Sequence, residues 1–458
     1  MRHFDLCIIG SGSGNSIADE RFAGLTVALV EKGTFGGTCL NVGCIPTKMY
    51  VYPADLALEP TRSSALGVDL ELHQVHWDQI RDRIFGRIDP IAAGGKRWRE
   101  QSENVTVFSE TAHFVGPKTL DTGSGGVITA DRFVIAAGSR VAVPGFPGLD
   151  GVDYRTSDDV MRLPRLPKSM IIVGAGYVAS EFAHVFSAYG VAVTVVGRSS
   201  VMLRNEDDDV AQRFTELMGR RVDLRLNANV ERVTAMAHGL KQVVIVDDVG
   251  ARHELVAEEL LIATGRVPNG DTLDLAATEV AVDDDGYIVV DEFQRTSVDG
   301  IYALGDVSSH HQLKHVANHE ARVVQHNLLH PDDLVASDHR YIPHAVFSEP
   351  QVASVGLTER AARDQGLDFS VGRTDYGSTA YGWAMEDQDH FVKLISDKGT
   401  GLLLGAHLIG PQASSLIQPL IQAMSFGTPA HAVARGQYWI HPAMAEVIEN
   451  ALLDLESD

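Results

Sequence analysis

Two glycine-rich turns, each entered from a short apolar run, constrain this chain more than any other feature. The first follows Phe4-Asp5-Leu6-Cys7-Ile8-Ile9 and reads Gly10-Ser11-Gly12-Ser13-Gly14-Asn15. A buried strand feeding such a turn, with a helical stretch expected from about Ser16, begins a βαβ dinucleotide unit. Gly10 and Gly12 permit the tight turn and the close approach of a pyrophosphate to a helix N-terminus. The next apolar run, Val27-Ala28-Leu29-Val30, ends at Glu31. An acid about twenty residues past the turn can accept a hydrogen bond from a ribose hydroxyl. Asn15 stands where the usual third glycine would be. That loosens the helix–strand packing and leaves the phosphate turn intact.

The second turn follows Met170-Ile171-Ile172-Val173 and reads Gly174-Ala175-Gly176-Tyr177-Val178-Ala179-Ser180-Glu181. Its next strand, Val191 to Val196, ends in Gly197-Arg198, and Arg204 follows. An acid at that strand end favours the 2′-hydroxyl of NAD, whereas arginine accommodates the 2′-phosphate of NADP. Guanidinium groups bind phosphate by paired hydrogen bonds, so Arg198 and Arg204 together point to NADPH.

Two strand-end turns repeat each other as well. Val134-Ile135-Ala136-Ala137-Gly138-Ser139-Arg140 and Leu261-Ile262-Ala263-Thr264-Gly265-Arg266-Val267-Pro268-Asn269 each close one nucleotide domain. The chain therefore reads as α/β, with two related Rossmann-like domains in tandem. Proline and glycine clusters at Val143-Pro144-Gly145-Phe146-Pro147-Gly148 and between Pro164 and Pro167 mark the region joining them.

Between the first fingerprint and its closing turn lies Gly36-Gly37-Thr38-Cys39-Leu40-Asn41-Val42-Gly43-Cys44-Ile45-Pro46-Thr47-Lys48. A disulfide closing so short a loop in a chain with no secretory segment suits catalysis better than structural cross-linking. Pro46 suits the first turn of a helix, which would place Cys44 at a helix N-terminus that stabilises a thiolate. The third cysteine, Cys7, falls inside the first strand and reads as a buried, inert thiol. No further Cys or His stands near the pair at zinc-ligand spacing, so no metal is expected.

These motifs, in this order, resemble the pyridine nucleotide-disulfide oxidoreductases. The resemblance covers nearly the whole chain and implies FAD and NADPH as cofactors and a homodimer. It implies an FAD-binding domain over 1–142, an NADP-binding domain over 143–268, a central domain over 269–339 and an α+β dimerisation domain over 340–458. It assigns Gly10, Gly12, Ser13, Gly14, Glu31, Thr38 and Gly138 to the flavin nucleotide. Asp306, in Ala303-Leu304-Gly305-Asp306, would bind the ribityl chain. Gly174, Gly176, Gly265, Arg198 and Arg204 fall to the nicotinamide nucleotide, with Tyr177 as a lid over its site. Lys48 and Glu181 match an ion pair beside the flavin. Cys44 becomes the thiol facing the flavin and Cys39 the exposed thiol that attacks substrate. His441 and Glu446, in Tyr438-Trp439-Ile440-His441-Pro442-Ala443-Met444-Ala445-Glu446, match the acid/base pair, contributed across the dimer. A free thiol is only a few per cent ionised at neutral pH, so such a base is needed. An amphipathic helix is expected over Ala413 to Phe426. Leu313-Lys314-His315-Val316-Ala317 matches the helix start under the flavin pyrimidine ring, with Lys314-His315 replacing the usual Thr-Pro.

The substrate has to be read from the site, since the fold serves several disulfides. Glutathione-type enzymes place an arginine where ungapped alignment puts Glu20, although Arg322 matches a second glutathione-binding arginine. No cysteine follows Cys44, unlike in mercuric reductases, and lipoamide dehydrogenases carry an acid where Arg198 begins its segment. Gly12-Ser13-Gly14-Asn15-Ser16 with Asp19-Glu20-Arg21, Gly86-Arg87-Ile88-Asp89-Pro90, the 313–321 segment, Ser414-Ser415-Leu416-Ile417-Gln418-Pro419 and Arg435-Gly436-Gln437 resemble the mycothione reductase branch. Mycothiol, an N-acetylcysteinyl glucosaminyl inositol, has no carboxylate. Asp19, Glu20 and Gln437 are candidate acceptors for its hydroxyls. Glutathione-type or lipoamide-type disulfide reduction, and a flavin or quinone reductase that does not need the cysteines, are the alternatives.

The 458-residue chain carries a formal net charge of −23. That argues against nucleic acid and anionic membrane surfaces as partners. The absence of a cleavage-type segment and of a long uncharged apolar run points to the cytoplasm.

Overall fold

The first apolar run forms the strand Arg2–Ile9, central in a seven-stranded sheet. Val27–Val30 and Val127–Ile135 flank it in parallel. Val105–Phe108 extends one side in parallel, and Ile301–Ala303 pairs in parallel with Val127–Ile135. Thr119–Asp121 and His113–Gly116 add an antiparallel edge. Alternate residues of a strand point to opposite faces. Leu6, Ile8, Val27, Leu29 and Val134 accordingly fill one core, and Cys7, Ile9, Ala28, Val30, Phe133 and Ile135 fill the other. Burial on both faces explains the unbroken apolar runs.

This computed structural model describes residues 1–455. The sheet belongs to a unit made of residues 1–47, 79–142 and 266–339. A second unit takes residues 48–78, 143–265 and the stretch from 340 on.

In the second unit, Ser169–Val173 lies in a four-stranded parallel sheet between Ala192–Val196 and Glu259–Ile262, with Asp223–Arg225 outside. The helix Tyr177–Ala188 follows directly after the second glycine turn. Asn229–Ala235, Lys241–Val246 and Arg252–Ala257 form an antiparallel sheet of three strands. A five-stranded antiparallel sheet runs from His344–Val346 through Val352–Gly356, Leu403–Ile409 and Phe391–Asp397 to Phe369–Asp375. The helix Glu446–Asp454 buries Val447, Ile448, Ala451 and Leu452 in the core shared with that sheet.

Two expected helices differ. No α-helix starts near Ser16; two single 3₁₀ turns, Gly14–Ser16 and Glu20–Phe22, carry the chain back to the sheet. Local polar bonds compete with a helix there. Asp19 accepts from the Arg21 N–H, and Asn15 is tied by Arg99, whose Nε donates to Asn15 Oδ1 at 2.7 Å and whose guanidinium also reaches the Ala18 and Asn15 carbonyls. The expected helix over Ala413 to Phe426 is two, Ala413–Leu416 and Gln418–Phe426. Pro419 has no N–H to give to residue 415, so the ladder breaks and restarts. No helix among the described residues is long and apolar enough to cross a membrane.

Candidate active site

The cysteine loop is shaped by its glycines. Gly36 and Gly37 take φ of +101° and +66°, and the short helix Gly37–Asn41 carries Cys39. A Cβ on Gly37 would meet the Gly12 Cα at 2.8 Å, so this loop packs directly on the first glycine turn. The Gly36 N–H donates to Ser11 Oγ at 3.0 Å. Asn41 closes the loop from inside: its Nδ2 donates to the Phe35 and Gly37 carbonyls at 2.9 and 3.0 Å. Cys44 then opens the helix Cys44–Ser63, as Pro46 suggested. Cys39 is half-buried and Cys44 exposed in the polypeptide, the reverse of the exposure expected for the two thiols; Thr38 is exposed beside them. Cys7 is fully buried, and burial pushes its thiol far above the ordinary range.

The two glycine turns share one geometry. Gly10 has φ +108°, and a Cβ there would lie 2.2 Å from the Ala136 carbonyl oxygen. Gly174 has φ +131°, and its Cβ would lie 2.1 Å from the Ala263 oxygen. Each turn is thus pinned against the residue that follows a strand end, Ala136 ahead of Gly138 or Ala263 ahead of Gly265, at a spacing only glycine allows. Gly14 fills the packing role that sequence pattern alone had left open at Asn15: its Cβ would meet Ala136 Cβ at 2.7 Å. Glu31 closes the first turn, accepting from Ser11 N–H and Oγ at 2.9 and 2.7 Å and from Gly33 N–H at 2.8 Å. In the same unit Asp306 accepts from Ser139 Oγ at 2.6 Å, and Arg266 Nε donates to that hydroxyl at 2.8 Å. Ser11, Asn41, Ser139 and Arg266 lie inside the quoted motifs, but their roles, like that of Arg99, could not be read there, because each acts through folding rather than through a fingerprint. These cradles, the acid at Glu31 and the anchored Asp306 fit FAD in the first unit.

In the second unit Gly176 precedes Tyr177, the exposed first residue of its helix. Leu203 N–H donates to the Ala175 carbonyl at 2.8 Å, which folds the segment carrying exposed Arg198 and Arg204 back onto the glycine turn. That arrangement fits a nicotinamide dinucleotide bearing a 2′-phosphate. Lys48 Nζ lies 2.8 Å from both carboxylate oxygens of Glu181, whose side chain is 6% exposed. The same unit holds His441 and Glu446. Nδ1 of His441 meets Glu446 Oε1 at 2.5 Å, and the imidazole is 70% exposed. Glu446 opens its helix, where a carboxylate is favoured by the dipole. The pair is a histidine oriented by an acid through one ring nitrogen, the form a general acid/base needs.

Around Glu20 the charges are arranged against a carboxylate clamp. Glu20 is exposed. Arg21 is spent on Asp19, at 2.6 Å, and that bond holds the Asp19 carboxyl below its usual range. Gln325 Nε2 donates to the same carboxylate, at 3.1 Å from Asp19 Oδ2. Arg322 is exposed on the helix Lys314–Leu329.

Residues 4–321 match the family described as pyridine nucleotide-disulphide oxidoreductase, and residues 342–452 match its dimerisation domain. The chain is 54% identical to the mycothione reductase of Mycobacterium tuberculosis, over 99% of this chain and all of that one. It is 35% identical to the dihydrolipoyl dehydrogenase of Mycobacterium bovis, over 98% and 97% of the two chains. Among solved structures, the HOCl-induced flavoprotein disulfide reductase RclA of Escherichia coli matches with a TM-score of 0.85 at 29% identity, covering 99% of each chain.

Proposed function

The chain belongs to the pyridine nucleotide-disulphide oxidoreductase family, and from that premise we propose that it is an NADPH-dependent flavoprotein reducing mycothione, the symmetric disulfide of mycothiol. The observation that carries the substrate is the 54% identity to a mycothione reductase over essentially the whole of both chains. The charge pattern at Asp19, Glu20 and Arg21 supports it, since Arg21 is already committed to Asp19 and Glu20 repels a substrate carboxylate.

FAD, when bound, relays an electron pair from the nicotinamide to the Cys39–Cys44 disulfide. The Gly10–Gly14 turn, Glu31 and Asp306 would hold it, and the Gly174–Gly176 turn with Arg198 and Arg204 would hold NADPH. Tyr177 is assigned as the lid of the nicotinamide site, and Lys48 with Glu181 as the ion pair near the flavin. Cys44 starts a helix, where the dipole favours its thiolate; with FAD held it would be the thiol that faces the flavin. Cys39 attacks one sulfur of the substrate, forming a mixed disulfide and releasing one thiolate. Cys44 then attacks Cys39, restoring the internal disulfide and releasing the second thiol. The balance is one NADPH and one proton consumed per disulfide and two thiols formed. The imidazole of His441 takes the Cys39 proton and returns it to the leaving thiolate, and Glu446 stabilises the imidazolium between those events.

In this reading the enzyme is a homodimer, and the cysteines of one chain are served by His441 of the partner subunit. A reducing compartment such as the cytoplasm suits a redox pair that must cycle. The test is a steady-state assay of NADPH oxidation with mycothione, glutathione disulfide and lipoamide side by side. Preference for mycothione is the expected result. Turnover of quinone alone, undiminished in Cys39→Ser, would instead favour a reductase that does not use the disulfide.

A further inference from the structure

The helix Lys314–Leu329 opens on a lysine, with no acidic residue in its first turn. The first N–H groups of a helix already carry the positive end of its dipole, so a cation is disfavoured there unless an anion sits close by. The lysine is not turned away into solvent. It is half-buried, and its Nζ donates to Ser13 Oγ at 2.7 Å. Ser13 Oγ donates onward to Asn318 Oδ1 at 3.2 Å, one turn further along the same helix. Ser13 is the residue between Gly12 and Gly14 of the first glycine turn. A cation and a helix N-terminus are therefore gathered onto the loop whose shape serves a pyrophosphate. The hydroxyl that holds them is neutral and does not compensate the charge.

We propose that Lys314 is a cofactor-anchoring residue. Its ammonium, held on the turn by Ser13, supplies counter-charge to the pyrophosphate of the dinucleotide at Gly10–Gly14, beside the turn's own N–H groups. The proposal rests on the reading that FAD occupies this turn. Lysine acts on phosphate as a point charge and needs no paired geometry, so one tether through Ser13 is enough to place it. Asn318 fixes the serine rotamer that makes the tether. This also accounts for a lysine where the wider family usually carries threonine.

The test titrates full-length apoprotein with FAD, and separately with ADP and riboflavin. ADP carries the pyrophosphate without the flavin, and riboflavin the flavin without the phosphates. Lys314→Met is expected to weaken FAD roughly tenfold to a hundredfold, the range for a lost charge-assisted hydrogen bond. It should weaken ADP in proportion, leave riboflavin unchanged and flatten the salt dependence of FAD binding. Lys314→Arg should recover most of the loss. Ser13→Ala should move FAD in the same direction by less, because it frees the lysine without removing it. Unchanged FAD affinity and salt dependence in Lys314→Met would overturn the role of Lys314 while leaving the cofactor reading intact. An equal loss for riboflavin would also overturn it, as that marks a merely structural role. A wild-type apoprotein that takes up no FAD would overturn the cofactor reading and this proposal together.

Discussion

Lys48 and Glu181 form an ion pair in which one ammonium lies 2.8 Å from both oxygens of a carboxylate that is 6% exposed, while the lysine side chain keeps 35% of its exposure. The two ends are therefore not equivalent. Phe347 N–H also donates to Glu181, at 2.9 Å, so the carboxylate retains one partner if the lysine is lost. Lys48→Met is expected to lower stability by about 2–4 kcal/mol, because it leaves a buried charge short of its counter-ion. Glu181→Gln should cost only about 1 kcal/mol, since the lysine can turn to water and the amide still accepts from Phe347. Urea unfolding of the two variants, in the same cofactor state, checks the order; a larger loss for Glu181→Gln would contradict it.

NADPH is expected over NADH because Arg198 and Arg204 stand on the segment that Leu203 folds onto the second glycine turn. Charge-assisted hydrogen bonds to phosphate are worth roughly 1.5–3 kcal/mol each. Replacing either arginine by glutamine should narrow the kcat/KM preference by roughly tenfold to a hundredfold, and the loss should fall on NADPH alone. Equal kcat/KM for the two coenzymes in the wild type would remove both residues from the site.

The tandem fold was legible because its signals are local. A glycine that must take φ near +108° or +131°, and whose Cβ would strike a carbonyl at 2.2 or 2.1 Å, leaves its mark at one position. The cysteine loop and the His441–Glu446 pair are compact in sequence for the same reason. What was not legible depends on partners far along the chain. Asn15 looked like a defect in the fingerprint, yet Gly14 does the packing and Asn15 anchors Arg99 of the helix Trp77–Gln101. That exchange also removes the expected helix after the turn. Ser139 and Arg266, which hold Asp306, lie in two paired strands whose register sets Pro268 opposite Ser139, and the repeated strand-end turns that contain them give no sign of that contact.

His441→Ala should leave reduction of the enzyme by NADPH nearly intact and slow the thiol–disulfide half-reaction by roughly 10²–10⁴-fold, the usual range for a removed acid/base. Stopped-flow separation of the two half-reactions reads this directly. Mixed dimers of His441→Ala and Cys39→Ser chains should regain activity if each histidine serves its partner's cysteines. Confirmed heterodimers without any regain would sink the shared site. Glu446→Gln should slow the same half-reaction by less than His441→Ala does, since the imidazole keeps its hydrogen bond and loses only the counter-charge.

Stability should also depend on pH through His344 and Glu206, 2.7 Å apart. Burial works against both charged forms, but their mutual hydrogen bond prevails, so the histidine is raised above 6.5 and the carboxyl lowered below 4.5. A raised histidine adds stability that is complete below its ordinary value and is lost as pH climbs through the folded one. A lowered carboxyl adds stability above its ordinary value that is lost as pH falls. The pair is therefore worth most between the two ordinary values. His407, buried and held below its ordinary value by desolvation, opposes folding as pH falls. His344→Gln should cost about 1.5–3 kcal/mol in that window, with the deficit shrinking at alkaline pH. Denaturation midpoints across pH for both proteins check it; a constant deficit would refute the linkage.

The substrate reading turns on Glu20. Glutathione disulfide brings carboxylates, and placing one unpaired beside a like charge is costly. Here Glu20 is exposed and its neighbour Arg21 is already held by Asp19 at 2.6 Å, with the guanidinium drawn further toward its charged form by that bond. Arg322, exposed on the helix Lys314–Leu329, matches one of the two glutathione-binding arginines, and Glu20 stands at the place of the other. A neutral sugar–inositol disulfide meets no such penalty and can use the same carboxylates as hydroxyl acceptors. Glu20→Arg should therefore raise activity with glutathione disulfide by roughly tenfold or more, the worth of one new charge-assisted hydrogen bond together with the removal of one repulsion. It should not improve turnover of mycothione, and the improvement with glutathione disulfide should shrink as salt screens the new pair. If wild-type enzyme reduces glutathione disulfide efficiently and ignores mycothione, the fold and the thiol chemistry stand while the substrate assignment falls.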